Sequence, residues 1–289
     1  MIETKYEYER KWWNAKAHKE EIDMFDEKIN RTLRWKEIDK HLTTDIKTIL
    51  DVGGATGVFS IPLAQKGFDV VHFDISDEMI VIAKGKSEEK GVRNITFEQG
   101  ISTDLSRFEN NSFDIVINMD GPVSFCGIDA EKAIKETIRV AKKKVIMTVS
   151  NRANMIVSML KSGLELSEER FIPAINEMFD NGFWHTLQYE ENKEMVKGCT
   201  NDYLGPIKAF MPEEIRKIFE NNGMKIERLT SIGSLTNNCG KEFIDSLIKK
   251  PKLYNEYIDL CDRFDKEICS NSIGSRERAG IMVVASKQV

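Results

Sequence analysis

Thr48-Ile49-Leu50-Asp51-Val52-Gly53-Gly54-Ala55-Thr56-Gly57 is the stretch on which the fold turns. Ile49, Leu50 and Val52 form a short apolar run that a cluster of glycines and small residues ends abruptly. Val58, Phe59, Ile61, Leu63 and Ala64 then change the rhythm towards a helix. The period and the punctuation predict a buried strand, a tight turn and a helix start. Glycine there lets the backbone turn sharply and approach a ligand with no side chain between them. Asp51 adds an acceptor at the strand end.

The same alternation continues outward from that stretch. Asp69 to Asp74 reads as a second strand, and Ser76 as the N-cap of a helix with Asp77 and Glu78 in its first turn. Asn94 to Glu98, Phe113 to Ile117 and Val145 to Val149 are three further strands. Ala130, Ala133, Ile134, Ile138 and Ala141 mark a helix before the last of them. Parallel strands need such crossovers, so the expected fold is a doubly wound α/β sheet. Pro212 opens and Gly223 closes a later helix, Met224 to Leu229 is a sixth strand, and Ala279 to Ala285 a seventh. Two more helices are expected over 241–269.

Two segments interrupt the alternation. Residues 1–44 form an arm of one or two amphipathic helices, with Ile22, Phe25, Ile29 and Leu33 at steps of three and four. Tyr6, Tyr8, Trp12 and Trp13 give it an aromatic density that serves either packing or closure over a ligand. Residues 151–204 are too many for a connection and are rich in Met and aromatics, so they read as an inserted cap. The core is then 45–150 with 205–289.

Composition narrows the partners. Charged residues are 31% of 289, with 47 acidic against 42 basic and a formal net charge of −5. A general nucleic-acid binder needs a basic face, so a nucleic-acid partner is disfavoured. The lysine run 142–144 is the one obvious basic patch, placed just before a strand as a solvated edge. Cys126, Cys199, Cys239, Cys261 and Cys269 follow no disulfide or metal spacing, which points to reduced thiols, a cytoplasmic location and no metal. Met1 to Arg10 lacks the apolar core of a signal peptide, and no window approaches a membrane span.

The glycine turn excludes two ligand classes by spacing. A dinucleotide fingerprint counted from Gly53 needs glycine at 55 and 58, where the chain has Ala55 and Val58. A phosphate loop needs a Gly-Lys-Ser/Thr ending, and none follows. What remains resembles the class I S-adenosylmethionine-dependent methyltransferases, in a motif style similar to small-molecule, quinone-biosynthesis-type enzymes. Asp51-Val52-Gly53-Gly54-Ala55-Thr56-Gly57 matches their first motif, and Asp74-Ile75-Ser76-Asp77-Glu78-Met79 the acidic end of strand two. Phe97 to Leu105 with Ser112-Phe113-Asp114 matches the third. The resemblance covers about 45–150 well and 205–289 more loosely.

It implies a mostly parallel, seven-stranded Rossmann-like sheet that binds S-adenosylmethionine and yields S-adenosylhomocysteine. Gly53, Gly54, Ala55 and Gly57 then lie against the methionine part, with Asp51 near its ammonium group. Asp74 accepts the ribose hydroxyls, Ile75 and Met79 face adenine, and Asn118 and Met119 border the activated methyl. Gly100, Ile101 and Ser102 complete the adenine side. Two departures stand out. Ala55 replaces a family glycine, which is tolerable at negative φ, and Ile101 replaces the usual adenine-binding aspartate. Ser102 or Asp104 takes over that bond, or Ile101 packs on the ring; the second is expected here.

The acceptor is harder to read. Asn118-Met119-Asp120-Gly121-Pro122 is not the Asn/Asp-Pro-Pro-Tyr motif of enzymes that methylate planar nitrogens. Asp120 and His185 are the candidate catalytic groups by residue type. Trp12, Trp13, Trp184 and Tyr203 are candidates for an enclosed acceptor pocket. The expected activity is methyl transfer to a small molecule at N, O or C. A tRNA or rRNA methyltransferase and a relative with other sulfonium chemistry are the alternatives, and a homodimer is compatible with the sequence.

Overall fold

Strand β1 (Thr48–Val52) pairs in parallel with β2 (Asp69–Asp74), which pairs in parallel with β3 (Ile95–Gln99). On its other side β1 pairs with β4 (Phe113–Asn118), and β4 with β5 (Ala141–Val149), again in parallel. In this computed structural model residues 5–19, 27–119, 121–185, 207–236, 239–268 and 280–288 are described. A two-residue ribbon, β6 (Phe183–Trp184) with β7 (Ile207–Lys208), stands apart. Strand β8 (Met224–Ile232) joins the main sheet only through β9 (Gly280–Lys287), which runs antiparallel between β5 and β8. The order is β3-β2-β1-β4-β5-β9-β8, the mostly parallel seven-stranded sheet that the sequence predicts.

Alternation along each strand divides the core into two layers. Leu50 and Val52 face one side, with Ile134 and Ile138 of α5 (Ala130–Val140). Ile49, Ile115 and Ile117 face the other, with Leu33 of α2 (Glu27–Asp39) and Leu63 of α3 (Ser60–Gln65). All six residues of β4 are buried, as a central parallel strand requires. Among the described residues the remaining α-helices are α1 (Lys5–Lys16), α4 (Asp77–Glu89), α6 (Arg152–Leu166), α7 (Phe171–Asn181), α8 (Pro212–Asn221), α9 (Lys241–Ile248) and α10 (Pro251–Arg263). Ile22 and Phe25 lie outside the described residues. No helix among the described residues is long and apolar enough to cross a membrane.

Two sets of ion pairs brace the sheet. The lysine run does not precede a strand; it lies inside the start of β5. Lys143 reaches the carboxylates of Asp45 at 2.9 Å and Asp114 at 3.3 Å, and Lys144 reaches Glu227 at 2.6 Å. These acids pair with two of the run's three lysines, and Lys142 is exposed. Under α2, Arg228 of β8 pairs with Glu37 at 2.6 Å and Asp262 at 3.2 Å, all three buried. That pair ties α2 to the sheet and to α10.

Candidate active site

The glycine turn is tied to the tip of β2. Gly53 and Gly54 both donate their N–H groups to the Phe73 carbonyl, at 2.7 and 3.2 Å. Gly53 has φ +74, and a Cβ there would run into the Pro122 ring. A Cβ on Gly54 would strike the His72 ring beneath it. His72 is fully buried and its Nδ1 lies 2.8 Å from the Ser60 hydroxyl, which donates to the Asp51 carboxylate. With the serine proton on Asp51, His72 donates through Nδ1 and stays neutral. Burial pushes its pKa down to about 4. Asp51 is thus held inward under the turn, off the cavity wall.

Ala55 differs from expectation. Its φ is +46, in the left-handed region, where an alanine Cβ is strained. The turn is held there by the Ala55 N–H, which donates to Asp74 Oδ2 at 2.9 Å. Ala55→Gly will therefore raise stability by about 1 kcal/mol, the relieved strain less the extra entropy of the unfolded chain. Urea unfolding measures it, and an unchanged or lower midpoint argues against the strain.

A cavity of about 540 Å³ opens above these strand ends, within the roughly 300–1,000 Å³ range of small-molecule sites. Gly53, Ala55, Asp74, Ile75 and Met79 line one end, with Gly100, Ile101 and Ser102 beside them. Asp74 sits deepest in charge terms. Its other oxygen accepts the Ser76 N–H at 2.8 Å, and each oxygen keeps a lone pair for a further donor. Burial pushes its carboxyl up to about 6, although the N–H groups of Ser76, Ala55 and Ile75 pull the other way. Ser76 caps α4 by accepting the Met79 N–H at 3.1 Å. Asp104 is exposed and bonds Ser106, away from the lining, whereas Ile101 and Ser102 are on it.

The other end is built from four elements. Met119, Pro122, Phe125 and Cys126 follow β4; Thr148 and Val149 end β5, and Ser150 and Asn151 follow it. Asn154 and Met155 come from the first turn of α6, and Asn30, Arg31 and Arg34 from α2. The arm forms the roof. Trp13 lines the cavity and meets Phe125 edge to face at 4.9 Å. The Tyr6 hydroxyl, also at the cavity, bonds Thr103 at 3.1 Å and Asp129 at 3.4 Å. Ser76 donates to Asn14 at 2.6 Å. Helix α1 thus bridges the loops after β2, β3 and β4.

Several expected site residues lie elsewhere. Trp12 packs behind Trp13, and Gly54, Gly57 and Asn118 are off the lining. The Asn118 side chain is fully buried with neither amide atom hydrogen-bonded. Trp184 packs on the small cluster of Met159, Ala174, Met178 and Ala209. His185 is 3.7 Å from the Glu177 carboxylate and does not line the cavity, so its place does not support it as the base. Asp120 and Tyr203 lie outside the described residues. Asn30, Arg31, Arg34 and Asn154 went unnoticed in the sequence, where each reads as an ordinary polar position on a helix.

The residues present fit S-adenosylmethionine. Gly53 leaves a bare backbone that any side chain would fill, and Asp74 keeps acceptor capacity in a buried setting. Comparison with known proteins agrees. Residues 43–223, well over half of the chain, match the family model for the methyltransferase domain. The chain is 27% identical to human EEF1A lysine methyltransferase 2 over 184 residues, 59% of this chain and 75% of that one. It is 32% identical to the ubiquinone biosynthesis O-methyltransferase of Paraburkholderia phymatum over 110 residues, 38% of this chain and 45% of the relative. Among the curated relatives compared, the chain spans from 28% to 75% of their length, mostly below two thirds. Among solved structures, magnesium protoporphyrin IX methyltransferase of Synechocystis with bound S-adenosylmethionine covers 98% of this chain and is itself covered to 97%. That likeness, at 16% identity and a TM-score of 0.53, concerns the fold. The glycine turn, the buried acid at the tip of β2, the strand order and the family match converge, and the chain belongs to the class I S-adenosylmethionine-dependent methyltransferases.

Proposed function

We propose that the enzyme transfers the methyl group to a small-molecule acceptor, at N, O or C, inside this one cavity. The observation that carries the reading is its continuity. The lining runs from Asp74 and Ile101 to the polar and aromatic wall of α2, α6 and the arm. The bound cofactor supplies an electrophilic methyl on a sulfonium. In this reading the backbone of Gly53 and Ala55 faces its methionine part, and the Asp74 carboxylate accepts from its ribose hydroxyls. Ile75, Met79 and Ile101 flank the adenine, with Ile101 packing where relatives bond it. Met119 borders the reacting end.

The chain's own work is then positioning and water exclusion, which supply much of the rate in a displacement. Residues 1–44 act as a lid through Trp13 and Tyr6, and 151–204 act as an acceptor cap. The experiment is a metabolite extract incubated with methyl-labelled cofactor and read by mass spectrometry. A labelled small product is the expected result. Label appearing only in protein or RNA overturns the small-molecule reading, and absence of cofactor binding by the folded protein overturns the residue assignments.

A further inference from the structure

We propose that Asp51, Ser60 and His72 work as one unit beneath the glycine turn and position its backbone for the cofactor, so that Asp51 serves binding from below and does not hold the cofactor's ammonium group. Resting on the cofactor placement proposed above, this makes Ser60 and His72 positioning residues. None of the three lines the cavity. Asp51 is 1% exposed, and Ser60 and His72 are fully buried. A carboxylate so deep in the sheet is costly unless it is bonded, and the Ser60 hydroxyl donates to it. That hydroxyl has a single proton, so towards His72 it accepts, and the ring carries its proton on Nδ1. Nε2 has no hydrogen-bond partner, so the Nδ1 edge alone orients the ring.

The upper end of this chain of bonds is the turn. The His72 ring and the Ser60 hydroxyl fill the space directly under Gly54. The Ala55 backbone also bonds the ring, in the sense that favours its N–H form, which makes the Ala55 carbonyl the acceptor. Ala55 is the residue at φ +46. A strained residue persists only where its surroundings over-determine it. Ala55 is held twice, by His72 from below and by Asp74 at its N–H. Gly53 and Gly54 donate to the Phe73 carbonyl. His72, Phe73 and Asp74, consecutive in β2, thus hold the turn together, and Asp51 with Ser60 orients the first of them. With the ring turned away, Ala55 is released, and with it the Asp74 carboxylate that it bonds. The loss then reaches the ribose as well as the methionine end.

Calorimetry with the full chain separates this arrangement from direct contact. Two ligands are titrated, S-adenosylhomocysteine and 5′-methylthioadenosine, which lacks the amino-acid part. Ser60→Ala should weaken both by at least about fivefold, and by factors within about twofold of each other. Any loss in Asp51→Asn should fall on the two ligands in the same way. A loss confined to S-adenosylhomocysteine places Asp51 at the ammonium group and overturns the proposal, as does an unchanged affinity in Ser60→Ala. The His72 variants separate positioning from packing. His72→Asn keeps a donor near the Nδ1 position but leaves a gap, whereas His72→Leu fills the site and has no donor. In urea unfolding His72→Leu should be the more stable of the two. His72→Asn should nonetheless keep S-adenosylhomocysteine affinity within about threefold of the parent, and His72→Leu lose at least about fivefold. Affinities that rank with stability overturn the proposal. Should Ser60→Ala not fold, the His72 pair decides. Failure of the parent protein to bind S-adenosylhomocysteine is a separate result, and it strikes the cofactor placement beneath.

Discussion

Replacing Asp74 with alanine will weaken S-adenosylhomocysteine binding at pH 8 by about 1.5–3 kcal/mol, roughly 10- to 150-fold. That is the range for hydrogen bonds to a charged group, and the Asp74 carboxylate has acceptor capacity left beyond its backbone donors. A pH dependence separates this role from simple damage. Burial holds the carboxyl up at about 6 in the ligand-free protein. Ribose hydroxyls favour the anion and so pull the carboxyl down on binding. Affinity is therefore full above about pH 6 and falls as pH drops through it, by up to about tenfold per pH unit. Asp74→Asn has no proton to lose and should give a flat profile. Calorimetry between pH 5 and 8 checks both points, and an unchanged affinity in Asp74→Ala removes the residue from the site.

Arg228→Met should cost about 3 kcal/mol in urea unfolding, the low end for breaking a buried ion pair. The substitution leaves Glu37 and Asp262 in the interior without their guanidinium. Lys40 and Lys266 remain within reach of these acids, which keeps the loss moderate. The pH sign is fixed by Glu37. Burial opposes its charge, but the His41 hydrogen bond, Arg228 and Lys40 outweigh it and hold the carboxyl far below the usual range. A depressed carboxyl stabilises the fold above its unfolded value of about 4.5, and that gain fades as pH falls towards the folded value. The gap between parent and variant should thus be widest near neutral pH and narrow below about pH 4.5. A gap that stays constant with pH would remove Glu37 from the account. Because α2 carries Arg31 and Arg34, looser anchoring should also weaken ligand binding at the acceptor end.

The donor half of the site was legible because it depends on local order. Gly53 and Gly54 end a strand within a few residues of it, and Asp74 and Ser76 mark the tip of β2 and the cap of α4 by type alone. The five parallel strands followed from the same punctuation. Ala55 was read at negative φ because nothing in the sequence reports a dihedral; the Asp74 carboxylate, nineteen positions on, sets it. The Asp51–Ser60–His72 chain was invisible for a similar reason, since three strand and helix positions meet only after the sheet forms. Arg31 and Arg34 occupy ordinary charged places on an amphipathic helix, and only packing turns them inward. His185 stood out by residue type and by its aromatic neighbours, and packing placed it against Glu177.

One feature of the sheet bears on how the protein is made. Strand β9 comes after β8 in the chain yet lies between β5 and β8. While Gly280–Lys287 is still inside the ribosome, β1 to β5 can zip together in order, but β5 keeps an open edge and β8 has no neighbour to join. The cofactor end of the cavity can form early, whereas Gly280, part of its lining, arrives only with the final insertion. Closure across that gap is long-range and slow. Until it happens the emerging chain presents the unpaired edges of β5 and β8 to other proteins, which makes insertion of β9 the step at which folding, chaperone and aggregation compete.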